Sequence, residues 1–179
     1  MGARISYYLK NDAALFPRKF GSKFALLHRI LPGIQIIYFD NFSELTKDYW
    51  RDYFKNLGDF IVLDPLFRFE NRNIGDGCPP IETEDGWLII YHAVEDTPLG
   101  KIYHASAALF DLKDPLKLVG RLKEPLFSPK TPWEKNGVTN NVIFPTGTVV
   151  RDKRLYIYYG AADKLIVATI FDLTDGSNI

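Results

Sequence analysis

The run Gly75-Asp76-Gly77-Cys78-Pro79-Pro80-Ile81 leads, after a short polar link, into Gly86-Trp87-Leu88-Ile89-Ile90-Tyr91-His92, where an apolar stretch ends on an ionisable ring. Glycines and prolines ahead of an apolar strand are how a rigid scaffold delivers a polar group to a cleft. His92 is therefore a candidate for donating to an anion or orienting a water. Arg29 closes a second such stretch, Phe24 to His28, and its guanidinium fork suits bidentate hydrogen bonding to oxyanions. Taken alone, an arginine at a strand end is as a rule a solvated or ion-paired surface residue. Asp163 ends a third stretch, Tyr158-Tyr159-Gly160-Ala161-Ala162-Asp163. A carboxylate there can accept hydrogen bonds from two hydroxyls and discriminate their orientation, or it can shape a turn with Lys164.

Several chemistries find no support. The three histidines stand apart, without ligand-like spacing to Cys or Glu, so no metal site is read. Gly75-Asp76-Gly77 lacks the Lys-Ser/Thr and following helix of a P-loop, and no Gly-x-Ser-x-Gly elbow occurs.

The elements that must hold these residues repeat. Gly21 to Arg29, Gly86 to His92 and Lys153 to Asp163 share one plan, a glycine- or lysine-led turn, an apolar aromatic-bearing strand and a polar or glycine ending, which makes His28, His92 and Gly160 equivalent. Each is followed by a second apolar strand and a short acidic turn, at Ser43-Glu44-Leu45, Phe110-Asp111-Leu112 and Phe171-Asp172-Leu173. Strands are expected over 24–28, 34–39, 60–63, 87–94, 102–109, 116–121, 142–150, 155–159 and 165–171. They are short, rich in Ile, Val, Tyr and Phe, and bounded by Gly, Pro, Asn and Asp. One helix is expected, with Ser43 capping residues 44–56, an apolar face of Tyr49, Trp50, Tyr53 and Phe54, and Gly58 past its end.

The fold class is thus all-β, a single domain over 1–179, read as a partial β-propeller of about three blades with one short helix near residues 44–56. Three blades are too few to close a ring, since propellers have about four to eight. The chain is therefore expected to belong to a larger protein, or to form an oligomer or meet a partner chain that covers its open edges. Twenty-two basic and 22 acidic residues balance, which gives no bulk field for nucleic acid or a membrane surface. A lone cysteine, Cys78, excludes an intrachain disulfide framework, and with no apolar run of membrane length the expected location is cytoplasmic.

With these motifs in hand, the chain resembles glycoside hydrolase family 130, the β-mannoside phosphorylases and mannosidases built on a five-bladed propeller. The matching blocks are Ala13-Ala14-Leu15-Phe16-Pro17 with Leu27-His28-Arg29, Ile74 to Ile81, Gly86 to His92, Asn141 to Gly147, and Tyr158 to Asp163, in family order. The resemblance implies a C-terminal portion whose proton-donating aspartate lies upstream, so the chain alone should be inactive. It implies a phosphate or nucleophile pocket at Arg29, His92, Tyr103 and Asn73, and sugar contacts at Asp163, with Asp12 and Asn141 as weaker candidates. The implied substrate is a β-mannoside oligosaccharide cleaved with inversion. Inorganic phosphate is a possible co-substrate, and no organic cofactor is implied.

If water rather than phosphate attacks, a base is needed, and Glu70 and Glu134 are candidates because inversion takes two carboxyl groups about 6.5 to 9.5 Å apart. Trp87, Trp133 and Tyr91 could stack on sugar rings, although Trp87 within an apolar strand also reads as core. Two positions depart from the phosphorylase pattern. Asn73, and approximately Asn11, stand where cations would balance phosphate. Arg72 cannot replace the missing charge if the segment is extended, because neighbouring strand residues face opposite ways. Hydrolysis and a non-catalytic carbohydrate-binding role remain open alternatives to phosphorolysis.

Overall fold

The computed structural model describes residues 12–173, which form three antiparallel sheets with few helical turns. The first sheet has the order β1 (Ala13–Leu15), β2 (Phe24–Ile30), β3 (Gly33–Phe39) and β4 (Ile61–Leu63). The second runs β5 (Asn73–Asp76), β7 (Trp87–Thr97), β8 (Gly100–Phe110), β9 (Leu118–Arg121), with β6 (Ile81–Glu82) also paired to β7. The third is β10 (Ile143–Arg151), β11 (Arg154–Ala161) and β12 (Leu165–Asp172).

The sheets stack through their faces. Ala25, Leu27 and Ile36 of the first meet Trp87, Ile89 and Tyr91 of the second, while Leu88, Ile90 and Ala107 on the reverse of the second meet Leu155 and Ile157 of the third. Because β7 is covered on both sides, its first eight residues are all buried, and its sequence reads as a continuous apolar run rather than an alternation. Burying Trp87, Ile89 and Tyr91 stabilises this seam by about 1.5–3 kcal/mol per side chain.

The repeat found in the sequence is reproduced in the register. Ala13 pairs with His28, Gly75 with His92, and Phe144 with Gly160, so the three equivalent positions each lie on the second strand of their sheet beside its first. The expected helix is divided in two. A 3₁₀ turn at Phe42–Glu44 is capped by Asn41, and helix α1 (Lys47–Lys55) begins one turn later with Thr46, not Ser43, accepting from the Tyr49 N–H. Trp50 and Tyr53 of α1 bury against Leu26, Ile37 and Phe39, covering the outer face of the first sheet, whereas Phe54 stays exposed.

The expectation of a single helix falls short elsewhere. Pro132–Lys135 forms a one-turn helix, α2, that opens on Pro132, and 3₁₀ turns occur at Leu57–Phe60 and Arg68–Glu70. Strands β1, β5 and β6 were also not anticipated, since two to four residues carry no detectable period.

The third sheet differs from the other two, because one of its faces is bare among the described residues. Val149, Tyr158, Ile166 and Ile170 are 49%, 42%, 84% and 53% exposed, on the side opposite the buried Leu155, Ile157 and Tyr159. Among the described residues no helix is long and apolar enough to cross a membrane.

Candidate functional site

Arg29, Asp12 and His92 come together where the first and second sheets meet. Arg29 Nε lies 2.9 Å from Asp12 Oδ2 as an ion pair, and both side chains are about nine-tenths buried, at 12% and 8% exposure. Arg29 Nη1 lies 3.1 Å from His92 Nε2, and His92 is fully buried. A guanidinium can only donate, so Nε2 must accept and the imidazole is neutral with its proton on Nδ1. The environment agrees, since burial and the neighbouring Arg29 charge push His92 down to about 3.

A missing side chain makes room for the cluster. A Cβ on Gly75 would collide with the His92 ring and with Asp12 Oδ2, so the glycine of the motif is what lets ring and carboxylate close over β5. The third sheet contributes Phe144, stacked on His92 with centroids 4.4 Å apart. Tyr103 is farther away, its ring 6.4 Å from His92, and its N–H donates to the Asn141 carbonyl at 2.9 Å. Asn141 holds a left-handed backbone at φ 58°.

Asn73 is buried on β5, and Arg72 points outward to an ion pair with Asp96 at 2.8 Å, so Arg72 supplies no charge to the cluster. Asn11 lies outside the described residues. Asp163 occupies an exposed left-handed position with Ala162 in the hairpin between β11 and β12, which is the turn role considered for it, and no described interaction joins it to the Arg29 cluster.

The two glutamates are structural. Glu70 accepts from the Leu66 and Phe67 N–H groups through Oε2 and from the Tyr91 hydroxyl and Arg121 through Oε1, which leaves no acceptor position for a water to be activated. Glu134 repeats the device, accepting from the Lys130 and Thr131 N–H groups and from the Tyr159 hydroxyl at 2.7 Å. Burial pushes the Glu134 carboxyl up, but those hydrogen bonds outweigh it and hold the group below the usual carboxylate range. Tyr91 and Trp87 are likewise core, with Tyr91 committed to Glu70 and the Trp87 indole donating to the Leu112 carbonyl. Trp133 is 47% exposed and free of the core.

Sequence reasoning passed over Asp76, the residue after Gly75 on β5. It is 2% exposed and its Oδ1 has no hydrogen-bond partner among the described residues. Burial, then the nearby Asp12 charge, push its carboxyl up to about 7, against the opposing pull of Arg29. Among the described residues no group of His, Cys, Asp and Glu could hold a metal ion.

These buried groups set a pH response. His28, pushed down to about 4 by burial, and His92, at about 3, stay neutral in the folded chain while the unfolded chain protonates near 6.5. Their contribution to stability is therefore lost as pH falls below 6.5. Asp76 acts oppositely, since its folded carboxyl binds a proton from about 7 downward and its unfolded one only near 3.8. His104, also pushed down by burial, adds to the histidine side, and Asp12, pushed up by burial against the pull of Arg29, adds to the Asp76 side; the histidines outweigh the carboxyls, so stability should fall from pH 6.5 to 5. Urea unfolding at those two pH values checks this, and equal or greater stability at pH 5 would refute it.

The molecule is thus a mostly β protein of stacked antiparallel sheets with a buried arginine–carboxylate–histidine cluster at a sheet seam. The family model described as beta-1,4-mannooligosaccharide phosphorylase matches residues 3–175, and the chain belongs to glycoside hydrolase family 130. It is 39% identical over 165 residues to a 1,2-beta-oligomannan phosphorylase of Thermoanaerobacter sp. (strain X514), covering 92% of this chain and 51% of that protein. It is 34% identical over 171 residues to a beta-1,4-mannooligosaccharide phosphorylase of Ruminococcus albus, covering 92% and 49%. A solved beta-1,2-mannobiose phosphorylase from Listeria innocua, in complex with beta-1,2-mannobiose, superposes with TM-score 0.74 at 31% identity, over 92% of this chain and 44% of that one. The chain spans about half the length of the curated relatives it matches.

Proposed function

We propose that this chain is the nucleophile-side portion of an inverting enzyme acting on β-linked mannosides, and that its three sheets are three blades of a propeller. The observation that carries this is the Asp12–Arg29–His92 cluster, a buried cation with hydrogen-bonding capacity at the seam of the first two sheets, on family blocks that run in register over most of the chain. In the complete enzyme an aspartate outside the chain protonates the glycosidic oxygen. A nucleophile held near Arg29 attacks the anomeric carbon from the opposite face.

The bare face of the third sheet supports the same reading. Its exposed Val149, Tyr158, Ile166 and Ile170 offer the apolar side-chain surface that the buried faces use between sheets, so further blades would complete the stack there. On this reading the 179-residue chain is inert toward mannosides by itself.

The test is an assay of the purified chain on β-1,2- and β-1,4-mannobiose, with and without phosphate, alone and mixed with a polypeptide carrying the first two blades of a family 130 propeller. No cleavage alone and cleavage on mixing, abolished by Arg29→Ala, is the expected result. Turnover by the chain alone, or mixed turnover indifferent to Arg29→Ala, would overturn the reading.

A further inference from the structure

On the face of β8 opposite Tyr103, a serine, a histidine and a carboxylate stand in series. His104 Nδ1 lies 2.8 Å from Ser128 Oγ, and His104 Nε2 lies 3.3 Å from Glu95 Oε2. No described interaction joins these three residues to Arg29, Asp12 or His92. Backbone pairing explains the arrangement. Ala105 and Phe127 exchange both backbone hydrogen bonds in an antiparallel bridge, at 3.0 and 3.3 Å. His104 and Ser128 are therefore the next, non-hydrogen-bonded pair, the kind whose side chains come closest, and the Ser128 N–H points away from β8. On β7, Ala93 is opposite His104, so Glu95 two residues on shares its face. The side chains of His104 and Glu95 are only 7% and 14% exposed. Arg68 Nε sits 3.2 Å from Glu95 Oε1, and the Phe69 ring packs edge-on to the imidazole with centroids 6.0 Å apart, so carboxylate and ring are both held from behind.

A carboxylate beside Nε2 keeps the imidazole proton there, so Nδ1 accepts and the Ser128 hydroxyl donates. The Glu95 contact lies off the hydrogen-bond axis, a looseness ordinary at catalytic sites without substrate. Ser128 is half-buried beside a cleft of about 650 Å³, to which Phe67, Phe69 and Pro125 give apolar surface and Lys123 a cation. We propose that this cleft is a second catalytic site, hydrolysing short acyl esters of polar alcohols, with Ser128 as nucleophile, His104 as general base and Glu95 as the positioning carboxylate. The Ser128 oxygen bonds to the ester carbonyl carbon as its proton passes to His104 Nδ1. The bond from that carbon to the alcohol oxygen breaks, and the alcohol leaves with the proton. Water then attacks the acyl-serine, giving a proton to Nδ1, and the carboxylic acid departs as Ser128 recovers its hydrogen. The Ser128 N–H and the Lys123 ammonium are the donors for the developing oxyanion. This activity is independent of the mannoside reading.

The test treats the full chain with a fluorophosphonate, which phosphonylates activated serines with loss of fluoride, and assays it with p-nitrophenyl acetate. Peptide mass spectrometry should place the adduct on Ser128, a readout that needs no variant. Ser128→Ala should lose both labelling and ester hydrolysis with its circular dichroism unchanged. His104→Gln and Glu95→Gln should each lower the rate, the former by about 100-fold or more. The charged groups around His104 are Glu95 of β7, Arg68 of the 3₁₀ turn, and Lys123 and Glu124 after β9. Burial holds the imidazole below the ordinary histidine range, so the protein-dependent rate should be at its plateau by pH 7 and fall only as pH drops below 6.5. No adduct, an adduct on another residue, hydrolysis unchanged in Ser128→Ala, or a protein-dependent rate still climbing above pH 7 would overturn the proposal. A serine–histidine pair that serves packing alone would give no adduct.

Discussion

Arg121→Ala is expected to lower the stability of the folded chain by about 3–5 kcal/mol, the largest single-residue loss among the ion pairs described. The guanidinium sits under the seam of the first two sheets with a side chain only 7% exposed, facing a Glu70 that is fully buried. It makes three hydrogen bonds at once, from Nη2 to Glu70 Oε1 at 2.7 Å, from Nε to the Tyr91 hydroxyl at 3.1 Å, and from Nη1 to the Asp64 carbonyl at 2.7 Å. It also lies over the rings of Phe67 and Tyr91, so the substitution removes packing as well as charge. What remains is a carboxylate without its cation in a site closed to water, which is costlier than never having had the pair. Chemical denaturation of Arg121→Ala measures the loss. The double variant Arg121→Met with Glu70→Gln should recover most of it, because it removes the stranded charge and keeps the volume. A loss below about 1 kcal/mol would show that the pair is effectively solvated.

Glu134 shows why the cation matters. It holds the equivalent place in the third repeat, with the same two backbone donors and a tyrosine hydroxyl, but no arginine is described on it. The tyrosine follows the glutamate by 21 residues in one repeat and 25 in the other. That pairing was visible in the chain as a repeat signal. Read as a recurring Glu–Tyr latch, it would have removed both glutamates from the list of catalytic bases before any fold was known.

The long elements were legible because their chemistry is redundant. Runs such as Trp87 to Val94 are apolar, β-branched and aromatic throughout, and the two buried faces of β7 demand that composition. The first strands of the sheets were legible only in part. β1 and β5 have three and four residues, and β5 is made of Asn, Ile, Gly and Asp, which carry no strand propensity as a group. Their pairing is imposed by β2 and β7, a tertiary effect. The helix boundary shifted for a local reason, since Asn41 and Thr46 each supply a capping oxygen and split one expected helix into two short ones.

The site was legible in its residue types but not in its charge balance. Arg29 and His92 were picked from strand ends, and the structure brings them within 3.1 Å of each other across 63 residues of sequence. That Asp12 would occupy the guanidinium could not be read from spacing, because it follows from the β1–β2 register, in which Ala13 faces His28 and Asp12 therefore comes beside Arg29, and β1 is too short to be read from the sequence. Asp163, chosen from a strand end and from the family resemblance, lies in the left-handed turn between β11 and β12, and no described interaction joins it to Arg29.

Gly75→Ala is expected to dismantle the cluster while leaving the sheets paired. One methyl group is a small change, but the position has no space for it. Its Cβ would stand 2.6 Å from Asp12 Oδ2 and 2.8 Å from His92 Nε2, in addition to striking the ring edge at Cε1. The three atoms belong to buried groups that are held from behind. His92 is backed by Phe144 and Asp12 by Arg29, so neither can move aside without giving up a partner. Overpacking of this kind costs about 1–3 kcal/mol. The functional consequence is larger, because displacing the ring breaks the Arg29 hydrogen bond and opens the pocket to water. Both effects that hold the His92 imidazole neutral, burial first and then the Arg29 charge, weaken together. Its titration midpoint should therefore rise from about 3 toward the ordinary histidine range, visible in the ring carbon shifts between pH 4 and 7. Gly120→Ala is the matched comparison. It lies on β9 with nothing within 4 Å of the added carbon, and there the stability change should stay within about 0.5 kcal/mol with His92 unaltered. An unshifted His92 in a folded Gly75→Ala chain would mean that ring and carboxylate have room to spare, and that the glycine of the motif serves the strand rather than the site.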